Sequence, residues 1–295
     1  MRSAWAAPSP AIVIPSARYR IGPDHALAAV RPAQKPLLNS LSLLNNTMKI
    51  GIIGTGAVGA ALAQKLVAAG HQVKVTNTRP AEELAQKARE LGASPATREE
   101  VVQDVAVIFI SVPLKATPQL KELFEHVPAD VVVADTGNYY PFRDEKIDAL
   151  EQGQAESVWA AEQLGRPIIK AYNNLLSFTL AEAGTAPGTP GRIAISVAGD
   201  DERAKKLVAD LINDTGFDVV DAGSLAESWR QQPGTPAYCT ELTAPELTHA
   251  LAAAVPGKAP GIRDQIMGQL MQRNTPPTRQ DMLDLNRSLE LGVAR

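Results

Sequence analysis

The chain has 295 residues, 45% of them hydrophobic and 21% charged, with a formal net charge of −3 from 29 basic and 32 acidic side chains. That fits a globular protein of one or two domains with a real core. It excludes the basic face of a nucleic-acid binder. With a single cysteine, Cys239, it also excludes an internal disulfide or a cysteine zinc cage, and no apolar run approaches the ~18 residues of a membrane span.

The charge is uneven. Residues 1–47 hold five basic residues (Arg2, Arg18, Arg20, Arg31, Lys35), one acid (Asp24) and six prolines, so the rest of the chain carries −7. Ala11 to Ile14 is too short for a signal-peptide core and Pro15 breaks it. An Arg-rich, acid-poor transit peptide would want an amphipathic helix, which the prolines oppose. The segment is therefore expected to be a disordered tail, or translation from a start upstream of Met48.

Lys49-Ile50-Gly51-Ile52-Ile53 is an apolar run suited to a buried parallel strand. Gly54-Thr55-Gly56-Ala57-Val58-Gly59 follows at once, then a helix pattern to Ala69 with Val58, Leu62, Leu66 and Ala69 on one face, and Gly70 as its stop. Gln72 to Thr76 reads as a second strand. This strand–GxGxxG–helix–strand unit is the context a dinucleotide fingerprint requires. Gly54 permits the tight turn, Gly56 lets the backbone approach a pyrophosphate, and Gly59 allows helix and strand to pack closely. The helix start offers free N–H groups to the phosphates.

The second strand ends in Asn77-Thr78-Arg79-Pro80. An NAD site places an acid about 20 residues beyond the glycines, to hold the ribose hydroxyls. Here Arg79 holds that position, and no acid stands between Thr76 and Ala81. Arg pairs with a 2′-phosphate where a carboxylate would repel it, so the expected cofactor is NADP.

Further strands are expected at Val105–Ile110, Val131–Ala134, Pro167–Tyr172, Ile193–Val197 and Phe217–Val220. A helix with Ala204, Leu207, Val208, Leu211 and Ile212 on one face is expected to start at an Asp200 cap and to stop at Gly216. The alternation makes the fold class α/β, a Rossmann-type doubly wound, mostly parallel sheet with a short helical C-terminal extension. Ligands in such sheets bind outside the carboxyl ends of the strands. That selects Ser111-Val112-Pro113, Thr136-Gly137-Asn138 and Asn173-Asn174 as site loops. The acids Asp200, Asp201 and Glu202 sit at a helix start, where acids favour the dipole, so no metal site is expected. None of His25, His71, His126 and His249 falls on a site loop, and a solvated role is expected for each. Lys170 and Tyr172 are expected to be structural. Tyr139 and Tyr140 follow the Asn138 loop directly, and two readings stand: both rings stack on an acceptor ring at the site mouth, or one ring is packed and one exposed.

With these loops the chain resembles the deazaflavin (coenzyme F-420)-dependent NADP oxidoreductases, and also the NADPH-binding domain of the six-transmembrane metalloreductases. The similarity runs from Met48 to about Arg230. It rests on the glycine loop, Ser111-Val112-Pro113, Asp135-Thr136-Gly137-Asn138, Ala198-Gly199-Asp200-Asp201-Glu202 and Val220-Asp221-Ala222-Gly223-Ser224-Leu225. The chain departs from the family in Thr78-Arg79, where Ser-Arg is usual, and in Lys170 to Asn174, which is closer to the metalloreductase version. The resemblance implies NADP at Gly54, Thr55, Gly56, Ala57, Val58 and Gly59, with Asn77, Thr78 and Arg79 around its 2′-phosphate. It places the nicotinamide near Ser111, Val112, Pro113, Thr136 and Asn138. It also implies direct hydride transfer to a flavin-like or deazaflavin acceptor, a homodimer and a cytoplasmic setting. The expected organisation is a tail (1–47), an NADP-binding Rossmann domain (48–230) and an extension of loop and helices (231–295), the helices near 259–272 and 278–290. Competing readings are a β-hydroxyacid or imino-acid dehydrogenase and a non-enzymatic NADP sensor.

Overall fold

The computed structural model describes residues 47–290, so the expectations for the amino-terminal tail, and His25 with them, lie outside the described residues. Six parallel strands form the main sheet: β1 (Lys49–Ile53), β2 (Gln72–Thr76), β3 (Ser94–Pro95), β4 (Val107–Ile110), β5 (Val132–Asp135) and β6 (Ile169–Lys170), in the order β3-β2-β1-β4-β5-β6. That is the nucleotide-binding order in which the connections reverse direction between β1 and β4.

Side chains alternate across the pleat, and both faces are apolar. Ile50, Ile52, Val75, Val107 and Phe109 point to one side. There they meet α1 (Ala57–Ala68), α2 (Ala81–Leu91), α7 (Ser177–Glu182) and α8 (Glu202–Asp214), numbered along the chain. Ile53, Ile108, Ile110 and Val133 point to the other side. They pack against the 3₁₀ segment Leu114–Leu120, α3 (Lys121–Phe124), α5 (Asp148–Glu151) and α6 (Glu156–Leu164), with α4 (Pro141–Asp144) beside the site. Burial on both faces explains why these strands read as continuous apolar runs.

Four details depart from the expected pattern. The strand expected over 167–172 is only Ile169–Lys170, because Tyr172 turns into the left-handed region at φ 59° and ends the extended run. The last two strands, β7 (Ala194–Val197) and β8 (Asp218–Asp221), form their own two-stranded parallel sheet. An antiparallel bridge between Lys170 and Ala198 ties it to β6. The cap of α8 is Asp201, which accepts from the Ala204 N–H at 3.0 Å, whereas Asp200 accepts from the Leu225 N–H at 3.0 Å. In α1 the buried residues are Gly59, Ala61, Leu62, Ala63 and Leu66, while Val58 and Ala69 are only partly covered.

After residue 230 come α9 (Ala244–Ala253), α10 (Ala259–Met271) and α11 (Arg279–Glu290). The last two match the expected helices. α9 covers the small sheet through Leu247, Ala250 and Leu251 against Val220 and Ala222.

The tightest packing lies under the glycine loop. A Cβ on Gly59 would stand 2.1 Å from the Gly54 carbonyl oxygen, and one on Gly54 would stand 2.2 Å from the Ser111 carbonyl oxygen, at a φ of 102°. Gly59→Ala should lower unfolding stability by about 3 kcal/mol, the upper range for forced overpacking. A urea midpoint equal to wild type would contradict this packing.

Candidate functional site

The carboxyl ends of the strands bring the loops side by side, because the ladder hydrogen bonds continue into them. Gly54 N–H donates to the Thr76 carbonyl (2.8 Å), Ser111 N–H to Ile53 (2.8 Å), Thr136 N–H to Ile110 (3.0 Å) and Ala171 N–H to Asp135 (3.1 Å). The loops after β1, β2, β4, β5 and β6 therefore form one row along one edge of the sheet.

Gly56 caps α1 without any side-chain cap, and a Cβ built on it meets nothing within 4 Å. Among the described residues the start of α1 is thus open at Gly56, and its first N–H groups lack intrahelical partners, the environment an anion requires. Asn77 ties this loop to the end of β2. Its Nδ2 donates to Thr55 Oγ1 at 2.6 Å, and its Oδ1 accepts the Arg79 N–H at 2.9 Å. Thr78 and Arg79 are exposed. Among the described residues no hydrogen bond or ion pair engages the Arg79 guanidinium, so it stands free beside the glycine loop.

The loops after β4 and β5 differ from one another. Ser111 and Val112 are partly exposed and Pro113 is exposed. Thr136 is buried and gives its hydroxyl to the Ile110 carbonyl at 3.2 Å, so it shapes the loop from inside. Asn138 is half-buried and donates to the Asn173 carbonyl at 3.1 Å. Asn173 returns a bond to Asn138 Oδ1 at 3.0 Å. Asn173 and Asn174 are both 2% exposed, more enclosed than turn residues at a surface.

Beneath these loops lies a buried ionic cluster. Lys170 Nζ, fully buried, donates to Asp135 Oδ2 at 2.6 Å and to the Gly137 carbonyl. Asp135 Oδ1 accepts the Gly137 N–H at 3.0 Å. The pair is shielded from water, so removing either partner would strand a buried charge. What it does is staple the 135–138 loop, and the structural role expected for Lys170 is of this kind. Nearby, Glu156 accepts the Tyr139 N–H at 3.0 Å. Burial pushes the Glu156 carboxyl up to about 7, against the opposing pull of Lys170, the Tyr139 N–H, Gln232 and Arg263.

The tyrosines sort as follows. Tyr139 is 2% exposed and hydrogen-bonds Glu151 at 2.9 Å, with Arg263 over its ring at 5.3 Å. Tyr140 is partly exposed at the mouth. Tyr172 is buried, edge-on to Phe109 and bonded to Thr215 at 3.1 Å. Among the histidines, His71 overturns the solvated expectation. It is buried, takes the Met48 N–H on Nδ1 at 3.2 Å and lies 3.3 Å from Asp214 on Nε2. His126 and His249 are exposed. A cavity of about 1230 Å³ opens at the opposite edge, beside Met48, Val105, His126 and Val131.

Residues 49–139 match the model of the family described as NADP oxidoreductase coenzyme F420-dependent. Putative protein YjhV of Escherichia coli K12 is 37% identical over 128 residues, covering 43% of this chain and 86% of that protein. The chain belongs to the coenzyme F420-dependent NADP oxidoreductase family. Rat metalloreductase STEAP3 is 28% identical over 186 residues, 61% of this chain, and the matched part spans 35% of the STEAP3 length. A putative F420-dependent NADP-reductase from Arthrobacter sp. FB24 shares the fold, with a TM-score of 0.52 at 22% identity over 62% of this chain and 87% of that one.

Sequence reasoning gave no role to Glu156, Gln231 or Tyr238. Their places are set by partners distant in the chain: the Tyr139 N–H for Glu156, the Asn173 amide for Gln231 and the Tyr140 hydroxyl for Tyr238. Glu156 yields a pH signature. Its folded pKa, about 7, lies above the ordinary 4.5, so the native state holds the proton more tightly than the unfolded one. Stability contributed by this group is present below pH 4.5 and lost as pH rises to about 7. Glu156→Gln keeps the acceptor for Tyr139 and should gain on wild type across that window, at no more than about 1.4 kcal/mol per pH unit. Parallel stability–pH curves for the two proteins would contradict the burial of this carboxyl.

Proposed function

We propose that the chain is an enzyme, an NADP-dependent oxidoreductase that passes hydride between NADP(H) and a flavin-like or deazaflavin acceptor. The observation that carries the reading is Arg79: an exposed guanidinium with no partner among the described residues, two residues beyond Asn77, with no carboxylate between Thr76 and Ala81. Family membership and the open α1 start support the same reading.

In this reading the loop from Gly54 through Gly59 receives the pyrophosphate, with Gly56 giving the close approach and the first N–H groups of α1 facing the charge. Thr78 and Arg79 hold the 2′-phosphate, and Asn77 positions them through its bonds to Thr55 and to the Arg79 N–H. Ser111, Val112 and Pro113 form one wall of the nicotinamide site, while Thr136 and Asn138 shape the other. The bound nicotinamide supplies or accepts the hydride, and the protein's part is to place the two rings and exclude water. The functional unit is residues 48–230, with 231–295 as an extension whose described residues, up to 290, lean on its acceptor side. A homodimer and a cytoplasmic setting belong to the same reading.

Arg79→Ala should raise the NADPH dissociation constant about 10- to 100-fold, the worth of one charge-assisted phosphate contact. NADH affinity should stay within about twofold, because that cofactor lacks the 2′-phosphate. Equal losses for the two cofactors, or none for NADPH, would refute the phosphate pocket. The acceptor is identified by stopped-flow NADPH oxidation with deazaflavin, riboflavin 5′-phosphate, Fe(III) chelates and imino acids in turn. Turnover confined to imino acids would favour a dehydrogenase. No turnover at all would favour an NADP sensor.

A further inference from the structure

The acceptor side of the site receives a side chain from beyond residue 230. Tyr140, on the loop after β5, and Tyr238, in the segment before α9, set their hydroxyl groups 2.6 Å apart. Asn138 Nδ2 donates to the Tyr238 hydroxyl at 3.5 Å, so the couple is tied directly to a residue of the proposed nicotinamide site. Both rings are partly exposed, unlike the buried Tyr139 and Tyr172.

The extension fixes this geometry from several sides. Cys239 N–H donates to the Asn174 carbonyl at 2.9 Å. Arg287 of α11 donates to the Thr240 carbonyl at 2.8 and 2.9 Å, and Arg279 forks onto Glu241 at 2.7 and 2.8 Å. Leu283 of α11 packs with Cys239 and Tyr238. The backbone takes positive φ at both Cys239 and Glu241, 54° in each case, so the segment is bent to present Tyr238 inward. Next to the couple, buried polar atoms stand without a partner among the described residues: Asn173 Oδ1, Asn174 Oδ1 and both side-chain polar atoms of Gln231.

A hydroxyl pair has a simple property. Two O–H groups share one mutual hydrogen bond, and the Asn138 amide can only donate to the couple. Whichever phenol donates to the other, one O–H proton remains for a further acceptor. The Cys239 thiol hydrogen-bonds Tyr238, but sulfur is a weak acceptor that an oxygen or nitrogen of a bound ring outcompetes. Burial raises the pKa of both phenols, which keeps them protonated donors through the neutral range.

We propose that the Tyr140–Tyr238 couple is the donor that stabilises the charge formed on the acceptor during hydride transfer. This rests on the oxidoreductase reading above. A C–H bond of the dihydronicotinamide breaks with both its electrons, and a new bond to hydrogen forms on the acceptor ring. The acceptor's π pair moves to its carbonyl oxygen or ring nitrogen, where the remaining O–H meets it. NADPH is oxidised and the acceptor reduced by two electrons, and the final proton comes from solvent. A donor placed where charge develops acts on the transition state more than on bound substrate.

The test uses the full chain with riboflavin 5′-phosphate as acceptor, in wild type, Tyr238→Phe and Tyr140→Phe. Single-turnover NADPH oxidation at saturating acceptor should slow about 10- to 100-fold in Tyr238→Phe, approaching the effect of losing an oxyanion donor. The dissociation constants for NADPH and for riboflavin 5′-phosphate in the presence of NADP⁺ should move less than about threefold, the split expected for an interaction made only in the transition state. Wild-type rates in both variants would overturn the proposal. So would losses of rate and of NADPH affinity together, which would mark the couple as structural. A wild-type chain that binds NADPH but reduces neither riboflavin 5′-phosphate nor a deazaflavin would overturn the flavin-type reading itself, and the proposal with it.

Discussion

The structure depends on one close approach, where Gly54, Gly59 and the Ser111 carbonyl leave no room for a single extra carbon. That contact presses the start of α1 onto the end of β1 and against the loop after β4. Three consequences follow from it. The first turn of α1 points past Gly56 into open space. The loop after β4 is held beside the glycine loop. The end of β2 falls within reach of Thr55, where Asn77 closes the gap with a 2.6 Å bond. The glycine-loop edge of the sheet is thus a result of backbone packing, with few side chains needed to hold it.

The other half of the edge is held differently. Beyond β5 the backbone loops are longer, and buried charge does the positioning. Lys170 and Asp135 grip the 135–138 loop from below, and Asn138 and Asn173 lace it to the loop after β6. Buried polar groups of this kind fix geometry only while every partner is present. The extension then closes the side, with α9 covering the small sheet and α11 holding the 238–241 segment. A compact dinucleotide fold so gains a wall it could not build from its own strands.

How much of this was legible in the sequence follows from the range of the signals. β1, β2 and α1 were readable because alternation, glycine spacing and the Gly70 stop are local. The end of β2 at Thr76 was readable because its strand pattern stops there, at Asn77. The separate β7–β8 sheet was not, since two short parallel strands read alike whether or not they join the main sheet; in the structure they meet β6 through the Lys170–Ala198 bridge. α9 carried a visible start signal in Thr243-Ala244-Pro245-Glu246, and its capping box is formed, but the segment lacks a strong apolar period. His71 looked solvated because it follows a helix, yet the amino end of β1 and Asp214 enclose it. Glu156 and Tyr238 owe their positions to contacts with residues far along the chain, such as Lys170 and Tyr140, which no local pattern encodes.

The central claim is that the free guanidinium at the end of β2 is a 2′-phosphate receptor. A crystal structure of the chain with NADP⁺ tests it most directly. The account predicts the pyrophosphate over Gly56 at the start of α1 and a 2′-phosphate oxygen within hydrogen-bond distance of Arg79. A cofactor whose ribose end lies away from Arg79, or whose pyrophosphate lies away from the α1 start, would contradict it.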